Sequence, residues 1–395
     1  MPKNLSAIVA WTCLLVVANQ ARALNEDAPV IHFGGVSAYP GVAVVGKYDS
    51  NITQQPDNDP GKITSKVMVL SPEVILQAEK NANKYSFIYS ADIGQYSNSS
   101  KDNYVDQHYV GLAEFGLSSR SVLKFQPEYL IGHDDRGSTF ASAIGPEPNL
   151  WHSTLLAGSF SYGAEEARGH LDVDLGYTDI QFRNNVAVTD AYNRNLTNEG
   201  GTFYFRVLPK TSVLVNARHT GISYKLPGSE LNGNEQQLRA GIKWEATALT
   251  KGEVQIGALR KTFDASTSPM YSGSSWQADV LWSPLTFVDV NLLSSKQASE
   301  STLVGSSALI ASNSGANVSY KLNDRLTLQA NGFQLKQDFV GTNRSDTTNT
   351  FGLKAEFKMH SWMIGGEYTN DVKNSSDPGF DFKRSIFTLS VRSPL

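Results

Sequence analysis

The feature that most constrains this chain is a strict alternation of apolar and polar residues, which recurs in one short segment after another. The clearest example spans residues 201–225. Its first arm places Phe203, Phe205 and Val207 on one face, because successive side chains of a β-strand point to opposite sides. Pro209 predicts a tight turn before the second arm, since proline has no N–H to donate to a ladder. The segment therefore predicts a hairpin with one apolar face and one polar face.

Two architectures accommodate such hairpins. A secreted soluble β-sandwich or solenoid turns the polar face to bulk water, whereas a transmembrane barrel turns the apolar face to lipid and the polar face to a lumen. The segments here are long enough to cross a bilayer at a tilt, which takes about 9 to 11 residues, whereas strands of globular proteins average about 5 to 6. Strand length therefore favours the barrel, with the soluble fold as the alternative.

Acidic residues on the polar face also favour the barrel. Asp172 and Asp174 alternate with Leu171, Val173 and Leu175 along one predicted strand. Carboxylates are seldom buried without partners, so a face that carries two of them in a row is expected to be wet.

The connections between the strands define the architecture further. Short turns are predicted at 118–119, 164–168, 208–210, 248–251, 283–285, 323–324 and 359–361. They alternate with longer polar loops and recur every roughly 35 to 45 residues, which corresponds to one hairpin of two spanning strands. We therefore predict an all-β protein: a transmembrane antiparallel up-and-down β-barrel of about 18 strands, or about 16 in the alternative count, with short periplasmic turns and longer extracellular loops.

The first residues have the pattern of a secretory signal. Lys3 precedes an apolar run, and Ala21 and Ala23 form a small-residue cleavage site, so we predict a signal peptide at residues 1–23. A periplasmic N-terminal segment is expected at 24–40 and the barrel at 41–395, with a first strand at 41–48. Cys13 is the only cysteine and lies in the predicted signal, so no thiol chemistry or disulfide is expected in the mature chain.

Charge narrows the classes of partner. The chain has 34 basic and 38 acidic residues; without Lys3 and Arg22 the mature balance is 32 to 38, a net charge of −6. This mild acidity argues against nucleic acid, because binding phosphates needs a basic patch. No apolar run after the signal is long enough for a transmembrane helix, and no phosphate-binding loop or histidine pair with metal-ligand spacing occurs. We expect no cofactor and no metal.

Alternation also selects the charged side chains that would line a lumen. The predicted lumen-facing residues are Glu114, Glu128, Asp172, Asp174, Arg206, Arg218, Arg239, Lys243, Asp279, Asp289, Lys354, Glu356, Lys358 and Glu367. Basic residues concentrate on the strands around residues 206–243, and acidic residues on the strands before them. The functional interpretation is a polar conduit with basic and acidic walls that holds a hydrated, anionic glycan. The alternative is that each charge pairs with a neighbour across the strands.

Two groups of residues invite a chemical interpretation. His219 and Ser223 lie four residues apart on one strand face, as a lipid hydrolase could use them, but no acid partner is identifiable in the sequence. Alternation places His219 on the apolar face instead, as an interfacial histidine near the outer rim. His133, Asp134 and Asp135 carry ligands for a divalent cation, and a solvated loop cap is the alternative. We predict no catalytic residue and no enzyme.

Two stretches carry a family resemblance. YPGVAVVGKYDSNI at residues 39–52 and DQHYVGLAEFGLSSRSVLKFQPEYLIGHDDRGS at 106–138 resemble the β-barrel porins of type 2, also called EpsL-like, of capsule and exopolysaccharide gene clusters. The most particular motif is HDDRG at 133–137. The resemblance implies an outer-membrane barrel that helps to export a polysaccharide. Its implied partners are periplasmic polysaccharide-export proteins, the polysaccharide itself, and outer-membrane lipid with lipopolysaccharide.

The leading functional hypothesis is therefore a monomeric outer-membrane barrel that acts as a passive conduit in the export of exopolysaccharide or capsular polysaccharide. The first alternative is a general or substrate-specific solute porin, and the second is an outer-membrane lipid hydrolase. An inward-folded constriction loop would favour the solute porin, and the sequence nominates no loop for that role. Pro394 and Leu395 follow the last strand, a departure from the terminal aromatic residue that is usual in outer-membrane barrels.

Overall fold

The computed structural model describes residues 30–138, 145–164, 167–247 and 249–393. Nearly all of this chain is β-structure, in one sheet. The strands are β1 (Ile31–Phe33), β2 (Val36–Asp49), β3 (Ser65–Lys80), β4 (Asn83–Tyr96), β5 (Tyr104–Ser118), β6 (Ser121–Asp134), β7 (Asn149–Tyr162), β8 (Gly169–Phe182), β9 (Arg194–Leu208), β10 (Thr211–Tyr224), β11 (Gly233–Thr247), β12 (Thr250–Phe263), β13 (Tyr271–Leu285), β14 (Val288–Ser299), β15 (Ala308–Lys321), β16 (Leu326–Val340), β17 (Ser345–Met359), β18 (Trp362–Ser375) and β19 (Phe382–Arg392). A single-turn helix, α1 (Val186–Thr189), lies between β8 and β9.

The sheet closes on itself. From β2 onward each strand pairs antiparallel with the next, and β19 pairs back with β2 over residues 43–49. The prediction of an up-and-down barrel of 18 strands is confirmed, because β2 to β19 form the complete wall. Strand β1 pairs with β2 at Val36–Ala38, the part of β2 that β19 does not reach. None of the helices in the described chain is long and apolar enough to span a membrane.

Short turns and longer loops alternate between the two rims. Pro209 and Lys210 join β9 to β10, as predicted, and the other short turns lie at the same rim. The predicted turn at 283–285 is wrong, since these residues belong to β13 and the turn is Thr286 and Phe287. A shift in register after Trp282 accommodates Pro284 within the strand. The predicted turns at 164–168 and 248–251 include residues 165, 166 and 248, which lie outside the described chain.

The wall is apolar on its outside and polar on its inside. On the hairpin of β9 and β10, Phe203 and Val215 are exposed and pair with each other. Thr202 and Asn216, which precede and follow these residues along their own strands, also pair with each other and are buried. Paired residues share a face, so the register carries this division around the whole barrel. We call the polar side the inner face, because a membrane barrel turns its apolar face to lipid.

The ends of the chain differ in part from the predictions. The first barrel strand, predicted at 41–48, begins earlier, at Val36, because its pairing with β3 continues to Ala78. The predicted signal peptide and residues 24–29 lie outside the described residues, as do Pro394 and Leu395.

Candidate functional site

The register places all fourteen predicted lumen residues on the inner face. Their contact with a water-filled path stays a prediction. The structure adds what the sequence could not supply, namely the partners of these side chains.

Arg218 on β10 reaches across β9 to a carboxylate on β8. Its Nη1 lies 3.0 Å from Oδ2 of Asp174, and between them lies Gly200, which pairs with both residues. A Cβ atom on Gly200 would lie 2.5 Å from the Asp174 carboxylate. The glycine therefore leaves the space through which the ion pair forms.

Arg239 on β11 repeats this arrangement across β12. It pairs with Gly257, which pairs with Ser275 on β13, and its Nε donates to Ser275 Oγ at 3.1 Å. Its Nη1 donates to Gln277 Oε1 at 2.8 Å, and Nη2 donates to Gln237. Arg239 is buried, and its hydrogen-bond partners are neutral groups. Both arginines thus lie flat along the wall rather than extending into the lumen.

The other predicted lumen residues contact neighbours on the inner face. Glu114 pairs with Lys124, Glu128 with His108, Asp172 with His170, Asp289 with Lys321, and Glu356 with both Lys354 and Arg392. Asp279 accepts from Asn291, Glu367 accepts from Thr369, and Lys243 lies 5.5 Å from the ring centre of Tyr204. Arg206 and Lys358 lie opposite Ser212 and Met363 in the register. Pairing across and along strands therefore accounts for most of these charges individually.

Taken together, the charges still divide the inner face. From β3 to β8 carboxylates dominate, and this acidic arc includes Glu73, Asp92, Asp106, Glu114, Glu128, Asp172 and Asp174, with Lys84 and Lys124. From β9 to β12 cations dominate, and this basic arc includes Arg194, Arg206, Arg218, Arg239, Lys243, Lys251 and Lys261, with Glu235 and Glu253. A solute inside the barrel would face walls of opposite sign.

The loop between β14 and β15, residues 300–307, folds onto the inner face. Glu300 Oε1 accepts from Lys261 Nζ of β12 at 2.9 Å, and Glu300 Oε2 lies 3.9 Å from Arg194 Nε of β9. The Tyr192 hydroxyl before β9 donates to the Thr302 carbonyl at 2.8 Å. Since β9 is five strands from β14, these contacts bring the loop across the inside of the wall. The sequence nominated no inward loop, and within the described chain the contacts of Glu300 and Thr302 identify the β14–β15 loop as one.

The anchor of this loop is a buried network. The Lys261 side chain is 1% exposed and also contacts Glu235 Oε2 at 3.6 Å. Burial by itself raises the pKa of the Glu300 carboxyl, but the ammonium of Lys261 and the guanidinium of Arg194 outweigh it, and the pKa falls to about 2. The loop is therefore held by an ionised carboxylate.

This low pKa predicts how the loop responds to acid. Because it lies below the ordinary value of 4.5, the stabilisation is complete above that value and is lost as the pH falls from about 4.5 to about 2. We expect a spin label on Val304→Cys, at the exposed tip of the loop, to keep its mobility from about pH 7 to about pH 5 and to gain mobility only below that range. A gain of mobility near neutral pH would contradict the assignment.

A second loop packs into the same rim. Between β2 and β3, Asn51 and Thr53 are fully buried, and Asn51 Nδ2 donates to the Lys383 carbonyl of β19 at 3.0 Å. Gly137, after β6, lies so close to Thr53 that a Cβ atom would stand 2.0 Å from the Thr53 carbonyl oxygen. This loop therefore connects the rim near β19 with the rim near β6.

The proposed hydrolase pair is not assembled. His219 pairs with Glu199 on the outward face, with 3.9 Å between its Nδ1 and Oε2, and no hydrogen bond joins it to Ser223 within the described chain. Both residues lie on the outward face, as the alternation indicated.

The HDDRG motif forms a network of hydrogen bonds at the rim. His133 Nδ1 lies 2.9 Å from Asp106 Oδ1, and Nε2 lies 3.3 Å from Asp135 Oδ1. Arg136 pairs with Asp102 at 2.5 Å. Among the described residues, no group of three or more His, Cys, Asp or Glu is arranged to hold a metal. The motif links the start of the long β6–β7 loop to β5 and the loop before it.

The closed barrel, apolar outside and polar inside, defines a porin-like outer-membrane protein. The chain belongs to the family described as "Putative beta-barrel porin 2", whose model matches residues 28–394. A search of curated proteins finds no match.

Solved outer-membrane barrels share the fold at low identity. OccK9 (OpdG) of Pseudomonas aeruginosa is 10% identical with a TM-score of 0.52, over 91% of this chain and 98% of that one. OccAB4 of Acinetobacter baumannii is 8% identical with a TM-score of 0.50, over the same shares. The FrpB iron transporter of Neisseria meningitidis (F5-1 variant) is 12% identical with a TM-score of 0.50, over 85% of this chain. The chain spans only 61% of that transporter's length.

Proposed function

We propose that this barrel is a selective channel for small hydrophilic solutes across the outer membrane. The observation that carries the proposal is the inward β14–β15 loop, anchored through Glu300 to Lys261 and Arg194. A loop held across the inside of the wall narrows the path, and a narrow path selects by size. An inward loop is the feature that would favour a solute porin over a conduit for polymer, although the sequence nominated no loop for that role.

The arcs of charge support selection by polarity as well. A solute that crosses between the acidic and basic arcs exchanges hydration for contacts with paired, ordered side chains. Solutes that carry both an ammonium and a carboxylate, or several hydroxyl groups, match such walls. Large apolar molecules do not.

Polysaccharide export stays an untested hypothesis that rests on the EpsL-like resemblance. A polymer needs a continuous path wide enough for a chain of sugar rings, and the inward loop works against this. Periplasmic export partners and a monomeric state likewise remain predictions. We therefore place polysaccharide export behind the solute channel.

Charge selectivity provides the experiment. In planar bilayers with a salt gradient, Glu114→Gln, Glu128→Gln and Asp172→Asn combined are expected to shift the reversal potential toward anions. Arg206→Gln with Lys243→Gln should shift it toward cations, because each set removes one sign of charge from the inner face. Glu199→Gln on the outward face is the control and should leave the potential unchanged. A barrel that conducts no ions, or that passes polymer as readily as small sugars in a liposome assay, would refute the proposal.

A further inference from the structure

The inner face of β14, β15 and β16 differs from both charged arcs. The register continues the inner face from Asp279 of β13 to Phe333 of β16. On these three strands, all of whose residues are described, that face carries two charged side chains, Asp289 and Lys321. The two lie 3.7 Å apart and pair with each other. We call the inner face of β14 to β16 the neutral arc.

Asparagines occupy the middle of the neutral arc. Asn291, Asn317 and Asn331 lie directly opposite one another on the three strands. At a spacing of about 4.8 Å between strands they form a row about 10 Å long. Asn313 lies on the same face of β15, four residues before Asn317. All four side chains are partly exposed, so their amide groups face the lumen.

Three of these amides have no hydrogen-bond partner among the described residues. Asn291 donates to Asp279 at 2.8 Å, whereas the side chains of Asn313, Asn317 and Asn331 form no hydrogen bond within that part of the chain. Each of the three therefore keeps two donors and an acceptor for a molecule in the lumen. The charged arcs differ, because most of their side chains pair with a neighbour on the wall.

An aromatic ring lies beside the row of asparagines. Phe333 follows Asn331 by two residues on the same face of β16 and lies opposite Gly315. A Cβ atom on Gly315 would collide with the Phe333 ring, so the ring packs against the backbone of β15. Because Phe333 is partly exposed, its other side faces the lumen. The face of an aromatic ring is electron-rich and attracts C–H groups.

The row lies on the periplasmic side of the inward loop. Strands β14 and β15 lead into and out of that loop, and Asn291 precedes the end of β14 at Ser299 by eight residues. This separation corresponds to about 26 Å along the strand. A solute that passes the β14–β15 loop therefore meets the neutral arc.

Free amides and an aromatic face together favour one class of solute. Each hydroxyl of a sugar both donates and accepts hydrogen bonds, as each amide does. The C–H groups of a sugar ring match the open face of Phe333. A charged solute finds no free opposite charge on the neutral arc, so the hydration that it loses there is not replaced. The neutral arc therefore suits uncharged molecules with several hydroxyl groups.

We propose that the neutral arc binds small uncharged polyhydroxylated solutes, of the size of a mono- or disaccharide, as they cross the barrel. This binding rests on the proposed channel function, because a solute must enter the lumen to reach the arc. It adds the substrate class: solutes with several hydroxyl groups bind at Asn317, Asn331 and Phe333, and zwitterions do not.

Substituting the free amides tests the site. Asn317→Leu with Asn331→Leu is expected to weaken the binding of sucrose, an uncharged disaccharide, about tenfold, because each lost hydrogen bond lowers the affinity. The matched control is Gln334→Leu with Asn349→Leu. It removes two amides that hydrogen-bond to each other at 3.0 Å on the outward face of β16 and β17. Saturation-transfer NMR on the barrel in detergent measures these affinities and does not require ion conduction.

The aromatic contact has its own pair of variants. Phe333→Leu keeps an apolar side chain opposite Gly315 but removes the ring, so sucrose should bind about threefold more weakly. Phe351→Leu removes an exposed ring from the outward face of β17 and should leave sucrose binding unchanged. This pair decides the question if the double substitution of Asn317 and Asn331 fails to fold.

Several results would overturn the proposal. Sucrose affinity could be equal in the Asn317 and Asn331 variant and its control, or equal in Phe333→Leu and Phe351→Leu. Binding of the zwitterion L-alanine could fall as much as that of sucrose. A wild-type barrel that conducts ions but binds no sucrose would remove the site and leave the channel function standing. A barrel that binds sucrose through these amides but conducts no ions would support the site and refute the channel.

Discussion

Replacing Glu300 by glutamine is expected to increase the single-channel conductance of the barrel. The substitution removes the carboxylate that the β14–β15 loop supplies to Lys261 and Arg194. The side chains of these two residues are 1% and 12% exposed. Removing one partner of a buried ion pair costs up to about 3 to 5 kcal/mol, and the cost here is below that limit because Lys261 keeps Glu235 Oε2 at 3.6 Å. A difference of about 1.4 kcal/mol is a tenfold change in an equilibrium. The equilibrium between the inward and released positions of the loop should therefore no longer favour the inward position. Current through single channels in planar bilayers measures the result.

The matched control for this substitution is Asp289→Asn. Asp289 also pairs with a lysine on the inner face, Lys321, but both side chains are exposed, at 36% and 57%. Exposed pairs contribute about 0 to 1 kcal/mol, so conductance should change little. If Glu300→Gln conducts as the wild type does, the loop is not the constriction and the proposed channel loses its main support.

Replacing Asp346 by asparagine is expected to lower the stability of the barrel more than any surface change. The carboxylate of Asp346 is fully buried and accepts from Arg344 Nη2 at 2.7 Å, Lys373 Nζ at 2.8 Å and Ser375 Oγ at 2.6 Å. The substitution removes the carboxylate that the two buried cations share, at a cost of about 3 to 5 kcal/mol. The temperature at which the folded band on a gel converts to the unfolded band provides the measurement.

Lys336→Gln serves as its comparison. Lys336 pairs with Asp338 at 3.4 Å near the same rim, but the two side chains are 54% and 46% exposed. This substitution should leave the conversion temperature nearly unchanged. Equal effects of Asp346→Asn and Lys336→Gln would mean that the buried cluster adds nothing to stability.

Local regularity made the wall predictable from the sequence. The alternation around Phe203 and Asp174 assigns each residue to a face without knowledge of its neighbours, because the period of a strand is two. The count of 18 strands and the rim with short turns follow from the same pattern. Pro284 was misassigned to a turn, because the register shift that keeps it inside β13 depends on β14 and has no sequence signal.

Contacts between distant strands were not predictable in this way. Glu235 and Lys261 continue the alternation of Arg239 and Leu259, so the pattern could have added them to the inner face. Glu300 lies in a loop, where no strand alternation predicts the direction of its side chain. Its partners are 39 and 106 residues away in the sequence. Gly200 likewise gains its role only when Asp174 and Arg218 lie on either side of it.

The seam between β2 and β19 joins the beginning of the wall to its end. Arg384 there pairs with Asp49 at 2.5 Å, 335 residues earlier in the chain. Bringing such distant residues together carries the largest entropic cost of any contact in the wall. Closure therefore waits until the last strand is made, and until then the edges of β2 and β19 stay open to other chains. The buried pair at the seam makes that final step hard to reverse.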